Sequence, residues 1–207
     1  ASENDGDILS LQLERFDLSA INALLPSDYG VKGAVTGTAT LSSPMSDMNI
    51  DIDMLCDSSY IANMPLGVIT LGSKWNEDDG KFDFFAKNEM RGKRNLDVEG
   101  YYQPKGRMLK ADINMDRFQI GYAQPVLKDI FGDMNGYISG ALTAFGPIDQ
   151  MKISSRNTRL EDTWLKIAYT GVPYHAEGPF HMDETGVYFD DIAIRDRFNG
   201  RGTVNGS

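Results

Sequence analysis

The chain has 207 residues, 30 acidic against 20 basic side chains for a formal net charge of −10, and one cysteine. Such a charge balance argues against nucleic acid and against an anionic membrane surface as partners. A single cysteine excludes an internal disulfide and CxxC metal sites, and no stretch approaches the ~20 apolar residues of a membrane-spanning helix.

The first residues, "ASENDGD", are polar and acidic and carry no apolar core of a secretory signal. "LSLQL" (9–13) then alternates apolar and polar side chains, the period of a half-buried strand. After Arg15-Phe16, Ser19 is placed to cap a short helix "AINALL", which Pro26 ends. "KGAVTGTATLSSPMSDMNI" (32–50) follows, a strand with glycines four apart at Gly33 and Gly37. In "MNIDIDM" (48–54), Met48, Ile50, Ile52 and Met54 take one face and Asn49, Asp51 and Asp53 the other. Cys56 reads as a small buried apolar side chain. "KFDFF" (81–85), "LDVEGY" (96–101) and "LKADINM" (109–115) repeat the alternation. Asp79-Gly80, Pro104-Lys105-Gly106 and Asn199-Gly200 carry the chemistry of tight hairpins, so the strands run mostly antiparallel.

From Arg117-Phe118 the pattern starts again. "QPVLKDIF" (124–131) puts Pro125 at a helix start, with Val126, Leu127, Ile130 and Phe131 as its apolar stripe. "NGYISGALTAFGPIDQMKI" (135–153) places Gly136, Gly140, Pro147, Met151 and Ile153 on Gly33, Gly37, Pro44, Met48 and Ile50 without a gap. Later, "GVYFD" at Gly186 matches "GKFDF" at Gly80, and "GTVNG" at Gly202 matches "LDVEG" at Leu96. The repeat divides the chain into β units 1–107 and 108–207, parts of one elongated module. The sequence stops while a strand is under way, which reads as a piece of a longer protein whose anchor or export signal lies outside it.

Coverage decides the fold class. About a dozen strands of about seven residues make a sheet face of roughly 1,300 Å², whereas two nine-residue helices shield roughly 260 Å² of it. Exposed apolar patches of more than a few hundred Å² are rare and usually functional. The sheet must therefore pack on another sheet, close into a barrel, or curl. Interior strand glycines mark bends, bulges or close approach. The expectation is a mainly β protein, a curled antiparallel sheet (an open roll) with two short helices.

The second half, "TWLKIAYTGVPYHAEGPFHMDETGVYFDDIAIRDRFNGRGTVNGS", resembles the β-repeat region of the TamB family, the translocation and assembly module of the AsmA-like group. The similarity lies in the order of Tyr169, Val187 to Ile192, Asp196, Asn199-Gly200 and Gly206, preceded by "GDMNGYISGALTAFGPIDQMKI". It covers residues 108–207 well and 11–107 less well. The resemblance implies a β-taco with a hydrophobic inner groove, in a periplasmic protein anchored in the inner membrane. It implies phospholipid acyl chains as cargo, outer-membrane biogenesis as the role, and a barrel-type outer-membrane assembly protein as partner.

Val35, Leu41, Ile50, Ile52, Phe82, Phe84, Ile113, Ile138, Leu142, Ile153, Ile167 and Phe189 are the candidate groove residues, and ten methionines suit an adaptable lining. Trp75, Trp164, Tyr169, Phe180 and Tyr188 fit either the groove or a core. His175 and His181 fall on one strand face, where Glu177 or Asp183 could complete a metal pair; two histidines on a polar face are the ordinary reading. Asp51, Asp53, Asp78, Asp79, Asp190 and Asp191 read as solvated faces and turns. There is no GxSxG, Walker loop or GxGxxG opening a helix, so no enzyme and no cofactor are expected. The rival readings are a structural β stalk or protein-binding module, and a glycan-active enzyme carrying an acid pair in a cleft.

Overall fold

The computed structural model describes residues 8–24, 30–42, 49–61 and 63–207. The strands are β1 (Ile8–Asp17), β2 (Lys32–Ser42), β3 (Asn49–Ile61), β4 (Met64–Asn76), β5 (Lys81–Met90) and β6 (Lys93–Gln103). They continue as β7 (Met108–Gln119), β8 (Phe131–Pro147), β9 (Lys152–Ile167), β10 (Pro173–Asp183), β11 (Gly186–Asp196) and β12 (Arg201–Gly206). All twelve form a single antiparallel meander in chain order, β1 through β12, which does not close.

The expected hairpin turns form. Gly80, Gly106 and Asn199 take φ of 61°, 92° and 64°, and the Gly80 N–H donates to the Asn76 carbonyl at 2.9 Å. Arg91 and Gly92, at φ 52° and 75°, add a tight turn between β5 and β6 that no Asn-Gly or Asp-Gly pair announces. Two successive residues of positive φ twist in the same sense as the strands they join.

The two helices do not form as expected. Leu18–Leu24 is a 3₁₀ segment of seven residues, and Ile120–Ala123 is a 3₁₀ turn that runs into a single α turn, Gln124–Leu127. Ser19 does not cap; its own N–H donates to Asp17 Oδ1 at 2.8 Å. Ile130, expected on an apolar stripe, is 57% exposed, and Phe131 already belongs to β8, opposite Ile167. Segments this short cannot repay helix nucleation, so the neighbouring strands dictate their shape. Leu25, Pro26 and Met48 lie outside the described residues.

Strand irregularity is systematic. Register shifts interrupt nine of the eleven strand pairs, all but β4–β5 and β6–β7. At these shifts Arg15, Ser58, Arg117, Asn157, Asp162 and Asp191 occupy the left-handed region, with φ between 47° and 54°. A bulge bends its strand and increases the local twist. Bulges that face one another on successive strands therefore crease the whole sheet.

The twin glycines belong to that crease. An added Cβ would lie 2.2 Å from the Asp53 carbonyl oxygen at Gly37, 2.3 Å from that of Asp162 at Gly136, and 2.6 Å from that of Asn157 at Gly140. At Gly33 it would meet Cys56 Sγ at 2.9 Å. The glycines thus let the bulged neighbour come close. The two repeats use the same device: the Arg15 N–H donates to Thr36 Oγ1 at 3.3 Å and the Arg117 N–H to Ser139 Oγ at 2.9 Å.

The curl is visible in one long-range contact. The Tyr122 hydroxyl donates to the Pro65 carbonyl at 2.5 Å, and a Cβ on Gly121 would touch Met64 Sδ at 3.0 Å. Tyr122 follows β7 and Pro65 lies in β4, so this contact bridges over β5 and β6. The chain exposes 13148 Å², about 3,500 Å² more than the ~9,600 Å² expected of a compact monomer of its mass. The main buried cluster is local: Leu160, Ala176, Phe180 and Ile192, with Ile120, Ile138, Leu165, Met182 and Ile194 against it.

Candidate functional site: an apolar trough

Antiparallel pairing sets like faces opposite each other, so the register spells out the inner surface row by row. One row runs Leu11, Ala39, Ile52, Ser73, Phe84, Gly100, Ala111, Ala144, Ile153 across nine strands. The next runs Leu13, Gly37, Met54, Leu71, Ala86, Val98, Ile113, Leu142, Ser155 across the same nine. Neither row holds a charge. The row on the opposite face that runs through Thr38, Asp53, Gly72, Phe85, Glu99, Asp112 and Thr143 carries three carboxylates. At ~4.8 Å between strands, each uncharged row is roughly 38 Å long.

All twelve candidate groove residues fall on this inner face. Ile52, Phe84, Ile113, Leu142 and Ile153 stand in the two rows above. Leu41 and Ile50 are opposite each other. Phe82 pairs with Trp75, their rings 4.6 Å apart. Val35 is opposite Cys56 and buried, and Ile138 is opposite Leu160. Their environments differ: Val35 is 4% exposed, whereas Ile153 and Phe189 are 46% and 37% exposed. Small residues set the depth of the trough. At Gly100 a Cβ would lie 2.9 Å from Cζ of Phe84, so that ring lies over the glycine.

Toward β12 the trough deepens into a hollow of ≈ 300 Å³, the lower end of the range of ligand pockets. Phe131, Leu160, Leu165, Ile167, Tyr174, Ala176, Phe189, Ile192, Ile194 and Val204 line it. Only Ile167 and Phe189 were expected there. Leu160 and Leu165 are five apart, and Phe189 and Ile192 three apart, because bulges at Asp162 and Asp191 insert a residue between them. The inserted residue reverses the alternation, which hides these side chains from a period-two reading. It also corrects the match of Gly186 to Gly80: Tyr188 lies on the outer face, and Phe189 takes the inward place of Phe84.

Asn88 and Thr158, both buried, find hydrogen-bond partners. Asn88 Nδ2 donates to the Leu66 carbonyl. Thr158 Oγ1 donates to the Phe180 carbonyl and also meets Ser155 Oγ at 3.0 Å. Burial pushes the Cys56 thiol up, and neighbouring Asp57 adds to it. Burial likewise pushes Tyr122 up to about 12.

Several aromatics depart from the groove reading. Trp164 packs edge-on against His175 at 5.2 Å on the outer face, Tyr188 stacks on His181 at 4.7 Å, and Tyr169 is 97% exposed in a turn. Trp75 and Phe180 do face inward. Each histidine meets its own carboxylate, His175 Nε2 to Asp162 Oδ1 at 3.2 Å and His181 Nδ1 to Asp190 Oδ2 at 3.0 Å. Among the described residues no group of three or more His, Cys, Asp or Glu side chains is placed to hold a metal ion, and no helix is long and apolar enough to cross a membrane.

On the outer face Arg117, Arg159, Glu161, Asp162, His175, Glu177 and Arg195 surround a charged hollow. Arg117 Nη1 reaches Glu161 Oε2 at 2.8 Å while its guanidinium lies 4.2 Å from the Tyr137 ring. A hydrogen bond with Ser139 and then the Arg117 pairing hold the Glu161 carboxyl below its usual range. Three arginines and three carboxylates surround it, equal in formal charge.

Compared with protein-family models, with curated proteins and with solved structures, the chain matches none.

Proposed function

We propose that the trough shelters the acyl chains of a phospholipid, and that the protein is a non-enzymatic module of a TamB-like periplasmic envelope protein, anchored through the inner membrane. In that setting it would pass lipid toward the outer membrane and assist assembly of outer-membrane proteins with a barrel-type partner. One observation carries this reading: two adjacent rows of nine residues without a charge, lying on a face that remains open. Each acyl methylene moved from water onto such a surface gains about 0.8 kcal/mol, so holding a chain needs no special chemistry. The small side chains of Ala39 and Ala144 in the first row leave room for a chain.

Lipid extracts of the purified protein should contain phospholipid. Photo-crosslinkers at Ile52 and Ile138 should capture it, whereas one at Asp53 on the opposite face should not. Ile52→Asp places a charge in the row and should reduce recovered lipid several-fold while the β-sheet circular dichroism persists. Equal recovery from Ile52→Asp and the parent, or no lipid in either, overturns the reading. In the rival reading, a structural stalk or protein-binding module, the open sheet edges carry the interaction and the trough stays empty.

A further inference from the structure

The inner face changes character where β5 turns into β6. Phe84 and Ala86 stand in the two uncharged rows. Asn88 and Met90 continue the same face toward the turn, and Lys93 is opposite Met90 and shares it. Another hollow, of ≈ 430 Å³, lies there, bounded by Pro65 and Tyr122 where the curl brings them together. Its size falls in the range of ligand pockets. Asn88, which lines it, is two residues from Ala86, about 7 Å along the strand, so hollow and trough are neighbours on one face. We propose that this hollow seats the phosphate head group of the lipid whose acyl chains lie in the trough, with Arg91 and Lys93 as its cations; the proposal rests on the acyl-chain reading of the trough.

Charge is the first support. Arg91, Lys93 and Arg117 line the hollow against one carboxylate, Asp116, on a chain whose net charge is −10. Arg117 is committed to Glu161 and to the Tyr137 ring, and nearby Arg94 to Glu89 and Asp97. Among the described residues Arg91 and Lys93 form no ion pair. Two unpaired cations at the mouth of an apolar trough, with one carboxylate beside them, attract an anion that carries an apolar tail.

Hydrogen bonding is the second. Asn95 and Gln119 also line the hollow, and their oxygens, Asn95 Oδ1 and Gln119 Oε1, are buried and accept no hydrogen bond among the described residues. Asn95 Nδ2 donates to the Asp116 carbonyl at 3.0 Å, which leaves the oxygen as the open end of that amide. A buried acceptor without a donor is costly. A hydroxyl or amine beyond the phosphate supplies the missing donors. The hollow therefore matches, in order, the parts of a phosphatidyl lipid: a tail leaving along Ala86 and Phe84, a phosphate on Arg91 and Lys93, and a donor-bearing end group on Asn95 and Gln119.

Titration with dioctanoyl phosphatidylglycerol, dioctanoylglycerol and inorganic phosphate tests this. The parent should bind the phosphatidyl lipid about tenfold more tightly than dioctanoylglycerol, which has the tails without the phosphate, and inorganic phosphate far more weakly than either. Arg91→Asn with Lys93→Gln removes both charges; asparagine accepts the φ of 52° at residue 91, and Lys93 is exposed, so the turn should persist. In that variant, and in the parent at high salt, the preference should vanish while dioctanoylglycerol binds as before. Arg91→Lys with Lys93→Arg keeps both charges and should keep the preference. A parent without preference, or a charge-free variant that retains it, overturns the proposal. Inorganic phosphate that binds as tightly as the lipid marks a site for the free anion and overturns it too. A photo-crosslinker at Leu71, opposite Ala86 in the second uncharged row, keeps the two readings apart. Capture of both lipids there without preference overturns the head-group site alone, whereas capture of neither overturns the trough and the site that rests on it.

Discussion

The hydroxyl of Tyr122 and the carbonyl of Pro65 meet at 2.5 Å although two whole strands separate their positions in the sheet. This contact pins the curl. Its loss should cost about 1 kcal/mol, as for a typical hydrogen bond, together with any penalty for the stranded carbonyl. Tyr122→Phe should therefore lower the denaturation midpoint with an unchanged slope. The parent should also show alkaline instability. A phenol raised to about 12 in the fold against 10.0 ordinarily contributes stability that is complete below the unfolded value and is lost as pH rises through the folded one. Tyr122→Phe should remove that alkaline loss; an identical alkaline profile in the variant would contradict the assignment.

Gly140 sits at φ +123° with the Asn157 carbonyl oxygen and Thr158 Cα each 2.6 Å from where a Cβ would be. Gly140→Ala must push β9 away or undo its bulge, at a cost of several kcal/mol, among the larger single-residue effects. Gly92 also has positive φ, 75°, but open space around the Cβ position. Gly92→Ala should therefore cost only the backbone strain, about 1 kcal/mol. Thermal melts of the two variants compare crowding with strain directly, and equal losses would remove the crease from its structural role.

Glu161 and Asp112 both titrate below their ordinary values. Glu161 does so through Ser139 and Arg117, Asp112 through hydrogen bonds with Lys110 and Thr143. A carboxyl depressed in the fold contributes stability above its unfolded value, here 4.5 and 3.8, that is lost as pH falls through the folded value. Stability should hold from neutrality down to about pH 5 and decline below it. Glu161→Gln should flatten the upper part of that decline. Both groups are partly exposed, so the slope should also shrink with added salt. An acid profile unchanged by Glu161→Gln would place the acid sensitivity elsewhere.

Sequence alone determined the class of this protein. Alternation in "MNIDIDM" and "LKADINM" requires a strand with one dry face, since successive side chains of extended backbone point oppositely whatever surrounds them. Short turns required a meander, and the inner positions of Ile52, Ile113 and Leu142 followed by counting in twos. Tertiary structure alone decided the rest. The two expected helices became a short 3₁₀ segment and a 3₁₀ turn running into one α turn, because neighbouring strands, not intrinsic propensity, set their conformation. The hollow of Leu160, Ile192 and Val204 escaped the count because bulges at Asp162 and Asp191 each insert one residue, and a period of two carries no memory across an insertion. The curl that brings Tyr122 onto Pro65 arises from bulges and glycines cooperating on adjacent strands. That the sheet would curl was expected from the strand glycines and the scarcity of helix; which residues meet across the curl depends on the positions of the bulges, which no local pattern encodes.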